Sequence, residues 1–357
     1  MSFIRKHFSL LLAVLAIVAL SDCGNNRIGH VAYVSLAGAN KVAGYKIGSS
    51  GKLSAIQGSP FSGGSTPESV YIHPSKKFVY GANQAGGDIS LFSIDSSSGA
   101  LTESSSRTTA GTNPTALAMN SNGNFLFVAN SGSSSISVYS INTTSGVLTP
   151  VTGSPFPTSS RPIELTVVFN KFLYVANANA ATVSAYSISS SSGQLTQITG
   201  SPFAVGTDPY SVASDPGGHF LYVANLVSGT ISAFRIDSSS GSLSAIASYS
   251  AGSNPISVAV DTSGKYAYVA NSGSGNVSAF SIDSTSGALT QISGSPFDAG
   301  SNPVFVVVDS SGKFLYVGDQ ASTIYGFSID SSTGALSGAA GSPDSVGSTP
   351  SFMSTIQ

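Results

Sequence analysis

Few side chains in this sequence could do chemistry, and most of them stand where a repeated motif is interrupted. One repeat has Gly-Ser-Asn-Pro at 252–255, whereas the matching segments hold Arg161 with Glu164 in one repeat and Asp208 with Tyr210 in the next. A carboxylate can act as a general base toward water, and a guanidinium or phenol can stabilise the oxyanion that forms. The candidate catalytic residues are therefore Arg161, Glu164, Asp208 and Tyr210. The alternative is an ion pair that joins two adjacent repeats without any catalytic role.

The same interruptions predict a wider ligand-binding face. Charged residues are rare both around the repeated proline and after the repeated Tyr-Val-Ala-Asn, so each one that occurs there stands out. The predicted face consists of Glu68, Arg161, Glu164, Asp208, Tyr210 and Asp319. Its excess of carboxylates over cations disfavours a phosphorylated ligand, which needs clustered cations.

We predict neither a metal ion nor a cofactor. The four histidines do not share a spacing suited to zinc. Each repeated Asp-Ser-Ser-Ser-Gly turn supplies one carboxylate, whereas a calcium loop needs several. No glycine-rich phosphate loop leads into a helix, and no serine stands in a nucleophile elbow.

An internal repeat of about 47 residues positions these side chains. The segment Phe-Leu-Tyr-Val-Ala-Asn at 172–177 recurs, and its central aromatic residue appears as Tyr33, Tyr80, Phe127, Tyr174, Tyr222, Tyr268 and Tyr316. Each repeat holds four strand-like runs separated by turns such as 283–287, where Asp caps the backbone and Gly supplies the left-handed conformation. With no helical periodicity, this pattern predicts an all-β, seven-bladed β-propeller over residues 30–357, with four antiparallel strands per blade.

The two ends of the repeat region predict how the ring closes. The first repeat begins at His30 with a second strand, and the chain ends at 351–356 with a segment that resembles a first strand. We therefore expect the C-terminal strand to complete the N-terminal blade.

Composition excludes several partners. Only 8% of the 357 residues are charged and the net charge is −2, which gives no electrostatic basis for binding nucleic acid or an anionic membrane surface. The single cysteine excludes an internal disulfide framework. We expect a monomer that binds an unidentified protein or glycan at its loop face.

Residues 1–22 are predicted to be a lipoprotein-type signal peptide. A basic start precedes an apolar run at 8–20, which is short for a membrane span. The following Leu-Ser-Asp-Cys resembles a bacterial lipoprotein processing box, so Cys23 is the predicted lipidation site and 23–29 the tether. The protein would then be exported to the periplasm or the cell surface, with the lipid as its only membrane contact. The alternative is a plain secretory signal with an incidental cysteine.

The repeats resemble YVTN-type repeats and the lactonase-like seven-bladed β-propellers. The resemblance lies in Tyr-Val-Ala-Asn, in Asn-Pro-Ile-Ser-Val-Ala-Val-Asp at 254–261 and in the turn at 283–290, and it covers the chain after residue 29. The family includes 6-phosphogluconolactonases, so the resemblance implies lactone hydrolysis as a candidate activity. The resemblance implies that enzymatic members carry histidines near the start of the innermost strands, typically just after the proline. Here those positions hold Glu68, Thr115, Ile163, Tyr210, Ile256, Val304 and Ser351, and no catalytic residue is transferred.

Three functions remain open at this point. The first is a binding or interaction module at the cell envelope. The second is a lactonase-family hydrolase, 6-phosphogluconolactonase-like, acting on a lactone or a sugar-derived ester. The third is cation-dependent binding at the acidic face.

Overall fold

The computed structural model describes residues 29–356. The predicted signal peptide, Cys23 and all but the last residue of the predicted tether lie outside the described residues. Seven antiparallel sheets follow one another, each first strand contacts the first strand of the next sheet, and the last contacts the first. The prediction of an all-β, seven-bladed β-propeller is confirmed.

Blades are numbered here in chain order, and the strands of a blade are numbered from the hub outward. The first strands of blades 1 to 7 are Pro350–Ile356, Pro67–Ile72, Pro114–Met119, Pro162–Val168, Pro209–Ser214, Pro255–Val260 and Pro303–Val308. The second strands are Val31–Leu36, Phe78–Asn83, Phe125–Asn130, Phe172–Asn177, Phe220–Asn225, Tyr266–Asn271 and Phe314–Asp319. The third strands are Lys41–Ile47, Asp88–Ile94, Ser135–Ile141, Thr182–Ile188, Thr230–Ile236, Asn276–Ile282 and Thr323–Ile329.

The fourth strand is interrupted in six blades and continuous in blade 5. The interrupted pairs are Leu53–Ala55 with Phe61–Ser62, Leu101–Glu103 with Thr108–Thr109, Leu148–Pro150 with Phe156–Pro157, Leu195–Gln197 with Phe203–Ala204, Leu289–Gln291 with Phe297–Asp298, and Leu336–Gly338 with Asp344–Ser345. Blade 5 has the single strand Leu243–Ser250. Short 3₁₀ helices, Ala37–Ala39 and Ala178–Ala180, join the second and third strands of blades 1 and 4. Within residues 29–356, no helix is long and apolar enough to cross a membrane.

A serine before a cis-proline fills the gap in most of the interrupted edges. These cis bonds precede Pro60, Pro155, Pro202, Pro296 and Pro343. In blade 4, the Ser201 hydroxyl accepts the N–H of Ala185 at 2.9 Å, where a continuous strand would offer a carbonyl. The proline itself donates no hydrogen bond, which suits an outer edge.

The strands from the two termini close the ring as predicted. Pro350–Ile356 pairs antiparallel with Val31–Leu36, with Ala32 opposite Thr355 and Val34 opposite Met353. The N-terminal blade is therefore built from both ends of the described chain.

Tyrosines of the second strands join neighbouring blades. All seven aromatic residues of this column are fully buried. Six hydroxyls donate to a glycine carbonyl in the turn between the third and fourth strands of the next blade, over 2.7–3.0 Å: Tyr33 to Gly99, Tyr80 to Gly146, Tyr174 to Gly241, Tyr222 to Gly287, Tyr268 to Gly334 and Tyr316 to Gly51. Gly241 has a φ of +73°, and a Cβ there would approach Phe172 to 2.5 Å, so the turn requires glycine.

Each first strand has a bulge just after its proline. In blade 4, Pro162 lies opposite Asn177 and Glu164 lies opposite Ala176, so Ile163 is an extra residue without its own partner. The same shift occurs in the other six first strands. Because a bulge re-aims the side chains beside it, two consecutive residues can face the hub.

Candidate functional site at the hub

The upper face of the ring is formed by the loops that lead into the first strands and those that join the second and third strands. A cavity of about 330 Å³ opens there at the hub. It is lined by the residue after the proline in every blade, namely Glu68, Thr115, Ile163, Tyr210, Ile256, Val304 and Ser351. The bulges thus place all seven of these positions around one small site.

The following residue also reaches the cavity in six blades: Ser69, Ala116, Glu164, Ser257, Phe305 and Phe352. The rings of Phe305 and Phe352 lie 6.4 Å apart. Phe352 also lines a second cavity, of about 460 Å³, that opens on the lower face between residues such as Val308 and Ile356. Phe352 therefore stands between a polar upper site and a more apolar lower one.

Glu164 is the carboxyl group best suited to acid–base chemistry. Its side chain is partly buried in the wall of the cavity, and Oε2 accepts the N–H of Val212 in blade 5 at 3.0 Å. Burial raises the pKa of Glu164 to about 7, although hydrogen bonds from Ser211 and from the Val212 N–H favour the charged form. A carboxyl with such a pKa can both accept and return a proton near neutral pH.

The contact between Glu164 and Val212 belongs to a pattern shared by neighbouring blades. In blade 5, Ser211 Oγ accepts the N–H of Val258 at 3.0 Å, and in blade 6 Ser257 Oγ accepts the N–H of Val306 at 3.1 Å. Glu164 therefore occupies a structural position at which two other blades use serine.

Arg161 and Tyr210 flank the same cavity. The Arg161 Cζ lies 5.9 Å from the centre of the Tyr210 ring, near the outer limit of a cation–π contact. Burial raises the pKa of Tyr210, the positive charge of Arg161 lowers it, and Glu68 and Asp208 raise it. The phenol is therefore protonated at neutral pH and can donate a hydrogen bond to a bound ligand.

Asp208 makes the ion pair that was the alternative interpretation. Arg161 Nη1 lies 3.4 Å from Asp208 Oδ1, and the two side chains are 39% and 21% exposed. An ion pair with this exposure contributes at most about 1 kcal/mol. Asp208 does not line the cavity, so it acts on the site through its ion pair with Arg161 and through the effect of its charge on Tyr210.

Of the other two members of the predicted face, Glu68 and Asp319, only Glu68 reaches the cavity. Glu68 lines the cavity, and burial raises the pKa of its carboxyl. Asp319 is 1% exposed and does not line the cavity. Its Oδ2 accepts the N–H of Asn302 at 2.6 Å and its Oδ1 that of Ala321 at 2.8 Å. It occupies the position at which five of the other second strands end in Asn, and its carboxylate holds local loops.

Two amides at the cavity were not predicted. Gln84 follows the second strand of blade 2, and Asn113 precedes the first strand of blade 3. Uncharged amides are common in the loops of this sequence, so nothing in their type marks them. Among residues 29–356, no group of three or more His, Cys, Asp or Glu side chains could hold a metal ion.

Together these features define a seven-bladed β-propeller with a small polar hub cavity that contains one carboxyl poised near neutral pH. A sequence model of the family "Lactonase, 7-bladed beta-propeller" matches residues 29–161, 156–260 and 256–349, and the chain belongs to that family. The resemblance seen in the sequence is thereby confirmed. No curated protein matches the chain by sequence.

Solved structures share the fold at low sequence identity. A proposed 6-phosphogluconolactonase from Bacteroides uniformis superposes with a TM-score of 0.81 at 17% identity, covering 92% of this chain and 99% of its own. A proposed 6-phosphogluconolactonase from Bacteroides fragilis gives a TM-score of 0.79 at 22% identity, covering 92% of this chain and 98% of its own. The periplasmic gluconolactonase PpgL of Pseudomonas aeruginosa gives 0.76 at 19%, covering 92% and 99%. At these identities the likeness shows the fold alone.

Proposed function

We propose that this protein hydrolyses a neutral sugar lactone in the hub cavity. The observation that carries the proposal is Glu164, a carboxyl with a pKa of about 7 in a cavity that it shares with Arg161 and Tyr210. Membership of the lactonase family and the shared fold with gluconolactonases support it.

The residues can be assigned to the steps of a simple hydrolysis. The Glu164 carboxylate takes a proton from water while the water oxygen bonds to the lactone carbonyl carbon. Arg161 and the Tyr210 hydroxyl stabilise the oxyanion that forms. The tetrahedral intermediate then collapses and breaks the ring C–O bond, and Glu164 returns the proton to the departing alkoxide. The product is the open-chain hydroxy acid.

The charges at the cavity favour an uncharged substrate. Two carboxyls, Glu68 and Glu164, line it against one cation, Arg161. Phosphate recognition needs clustered cations, and this site offers one guanidinium. We therefore expect unphosphorylated glucono-δ-lactone to be a better substrate than its 6-phosphate.

The test compares lactone hydrolysis by the wild type and Glu164→Gln, after subtraction of spontaneous hydrolysis. Gln keeps an oxygen that can accept the Val212 N–H but cannot take a proton, so kcat/KM should fall at least 10²-fold with the fold unchanged. Glu103→Gln is the matched control, because Glu103 pairs with Arg107 on the outer edge of blade 2. Equal turnover by Glu164→Gln and the control would exclude Glu164 as the base.

A second candidate function is ligand binding at the cell envelope without turnover. It is favoured by the absence of histidine from all seven positions after the proline, and by the structural hydrogen bond of Glu164. Saturable binding of the lactone by the purified protein, without turnover, would support this candidate over hydrolysis.

We also propose that the protein is exported and anchored by a lipid on Cys23. The support is the sequence of residues 1–23 alone. Bacteria fed an alkyne-labelled fatty acid should incorporate the label into the wild type in the membrane fraction, and Cys23→Ser should remove the label. An unlabelled wild type that is still secreted would identify a plain secretory signal instead.

A further inference from the structure

A groove between blades 2 and 3 runs outward from the hub cavity. Its volume is about 490 Å³, and Gln84 and Asn113 line both the groove and the hub cavity. The two spaces therefore adjoin at these amides. A comparable depression between blades 5 and 6, lined by residues such as Val227 and Asn254, shares no lining residue with the hub.

The lining of the groove combines uncharged polar side chains with alanine, glycine and proline. Its polar side chains are Gln84, Thr112, Asn113, Ser133 and Ser135, and none of the described residues that line it is charged. Amides and hydroxyls both donate and accept hydrogen bonds, as the hydroxyls of a sugar do. A charged ligand would find no counter-ion there and would lose hydration without compensation.

The amide of Gln84 is free to bind a ligand, and a matched residue shows why. Gln320 holds the same repeat position in blade 7, where its Oε1 accepts the side-chain N–H of Asn302 at 2.9 Å. Blade 2 has Thr66 in place of Asn302, and within residues 29–356 the Gln84 side chain has no hydrogen-bond partner. Gln320 is thus hydrogen-bonded within its own blade, whereas the Gln84 amide lines the groove and remains available to a ligand.

Asn113 also has a side-chain amide that is available to a ligand. Ser131 donates to the main-chain carbonyl of Asn113 twice, through its N–H at 2.9 Å and its hydroxyl at 3.0 Å. The main chain is fixed, while the side-chain amide has no partner in the described part of the protein. A ligand that binds this amide therefore breaks no hydrogen bond among the described residues.

We propose that this groove binds the neutral saccharide extension of the substrate, so that the substrate is a lactone at the end of an oligosaccharide. The inference rests on the proposed lactone hydrolysis. The hub cavity lies near the lower end of the usual ligand-site volumes of about 300–1,000 Å³, which suits one sugar ring. The groove then takes the next sugar unit.

Two matched pairs of variants test the groove with glucono-δ-lactone and cellobiono-δ-lactone as substrates. Ala85→Trp fills the groove from an exposed position outside the hub cavity, and Ala321→Trp adds the same bulk at the equivalent position of blade 7. Gln84→Ala and Gln320→Ala form the second pair. Ala85→Trp should raise KM for the disaccharide lactone about tenfold and leave KM for the monosaccharide lactone within twofold. Gln84 also lines the hub cavity, so Gln84→Ala should raise KM for both lactones, and by a larger factor for the disaccharide lactone. The blade 7 variants should change neither.

Equal effects on both lactones, or equal effects of the blade 2 and blade 7 variants, would overturn the groove proposal. If neither lactone is hydrolysed, calorimetric binding of cellobiose decides it separately. Binding that Ala85→Trp weakens tenfold would support the groove while the hydrolase proposal fails. Absence of cellobiose binding, or equal binding of an uncharged Ser-Gly peptide, would refute the groove as a saccharide site.

Discussion

Blades 4, 5 and 6 make the same hydrogen bond between neighbouring first strands, but blade 4 makes it with a different chemical group. Ser211 and Ser257 accept the N–H of the next first strand over 3.0 and 3.1 Å, and Glu164 does so over 3.0 Å. The neutral hydroxyl of a serine, a shorter side chain than glutamate, therefore satisfies this contact equally well. The carboxyl is not needed for packing, and burial makes its charged form costly.

This comparison separates a structural requirement from a functional one. Natural proteins break their own local rules mainly at functional sites, where the cost is compensated elsewhere. At the position of Glu164 the backbone contact is kept and only the chemistry of the acceptor changes. The departure therefore supports the assignment of Glu164 to proton transfer.

The largest effect on stability is expected for Glu164→Ser, which gives blade 4 the serine that blades 5 and 6 have at this position. Burial raises the pKa of Glu164 from 4.5 to about 7, so the folded protein holds this proton more tightly than the unfolded chain. The contribution to stability is complete below about pH 4.5 and is lost as the pH rises through about 7. Relative to Glu164→Ser, the wild type should lose up to about 3 kcal/mol of unfolding free energy between these limits.

Denaturant unfolding of both proteins at about pH 4.5 and about pH 8.5 checks this expectation. Glu164→Gln is the control, since it cannot ionise and should follow the pH dependence of the serine variant. If the unfolding free energies of the wild type and Glu164→Ser change in parallel with pH, the Glu164 carboxyl is not desolvated. The contrast between the blades then loses its energetic basis.

The ring and its closure could be predicted from sequence because every blade repeats the same local signals. The spacing of Tyr33 through Tyr316 counts the blades, and the unmatched strands at the two ends require each other. The same regularity picked out the positions after the proline, including Glu68 and Tyr210, which do meet at the hub.

The finer arrangement of the site could not be predicted, for physical reasons. A bulge is a property of strand pairing, so the sequence did not show that Phe305 and Phe352 also face the channel. Asp319 and Glu68 are both carboxylates in variable segments. Only the folded chain shows that Asp319 turns inward to accept main-chain N–H groups while Glu68 faces the cavity.

Blade 3 provides a second departure from the repeat, away from the hub cavity, and it sharpens the comparison. Tyr174 donates to the Gly241 carbonyl at 2.8 Å, and five other blades have the same contact. Phe127 holds this position in blade 3 and leaves the carbonyl of Gly193 without that donor. Because neither residue lines the cavity, this departure should affect stability alone.

Tyr174→Phe should therefore lower the unfolding free energy by about 1–2 kcal/mol, since it leaves a buried carbonyl unpaired. Phe127→Tyr should raise it by up to about 1 kcal/mol, since it supplies the missing donor. Urea unfolding measures both changes, and kcat/KM for the lactone should stay within twofold of the wild type in each. A loss of turnover in Tyr174→Phe comparable to that of Glu164→Gln would show that blade packing controls the hub, and the distinction between structural and functional departures would fail.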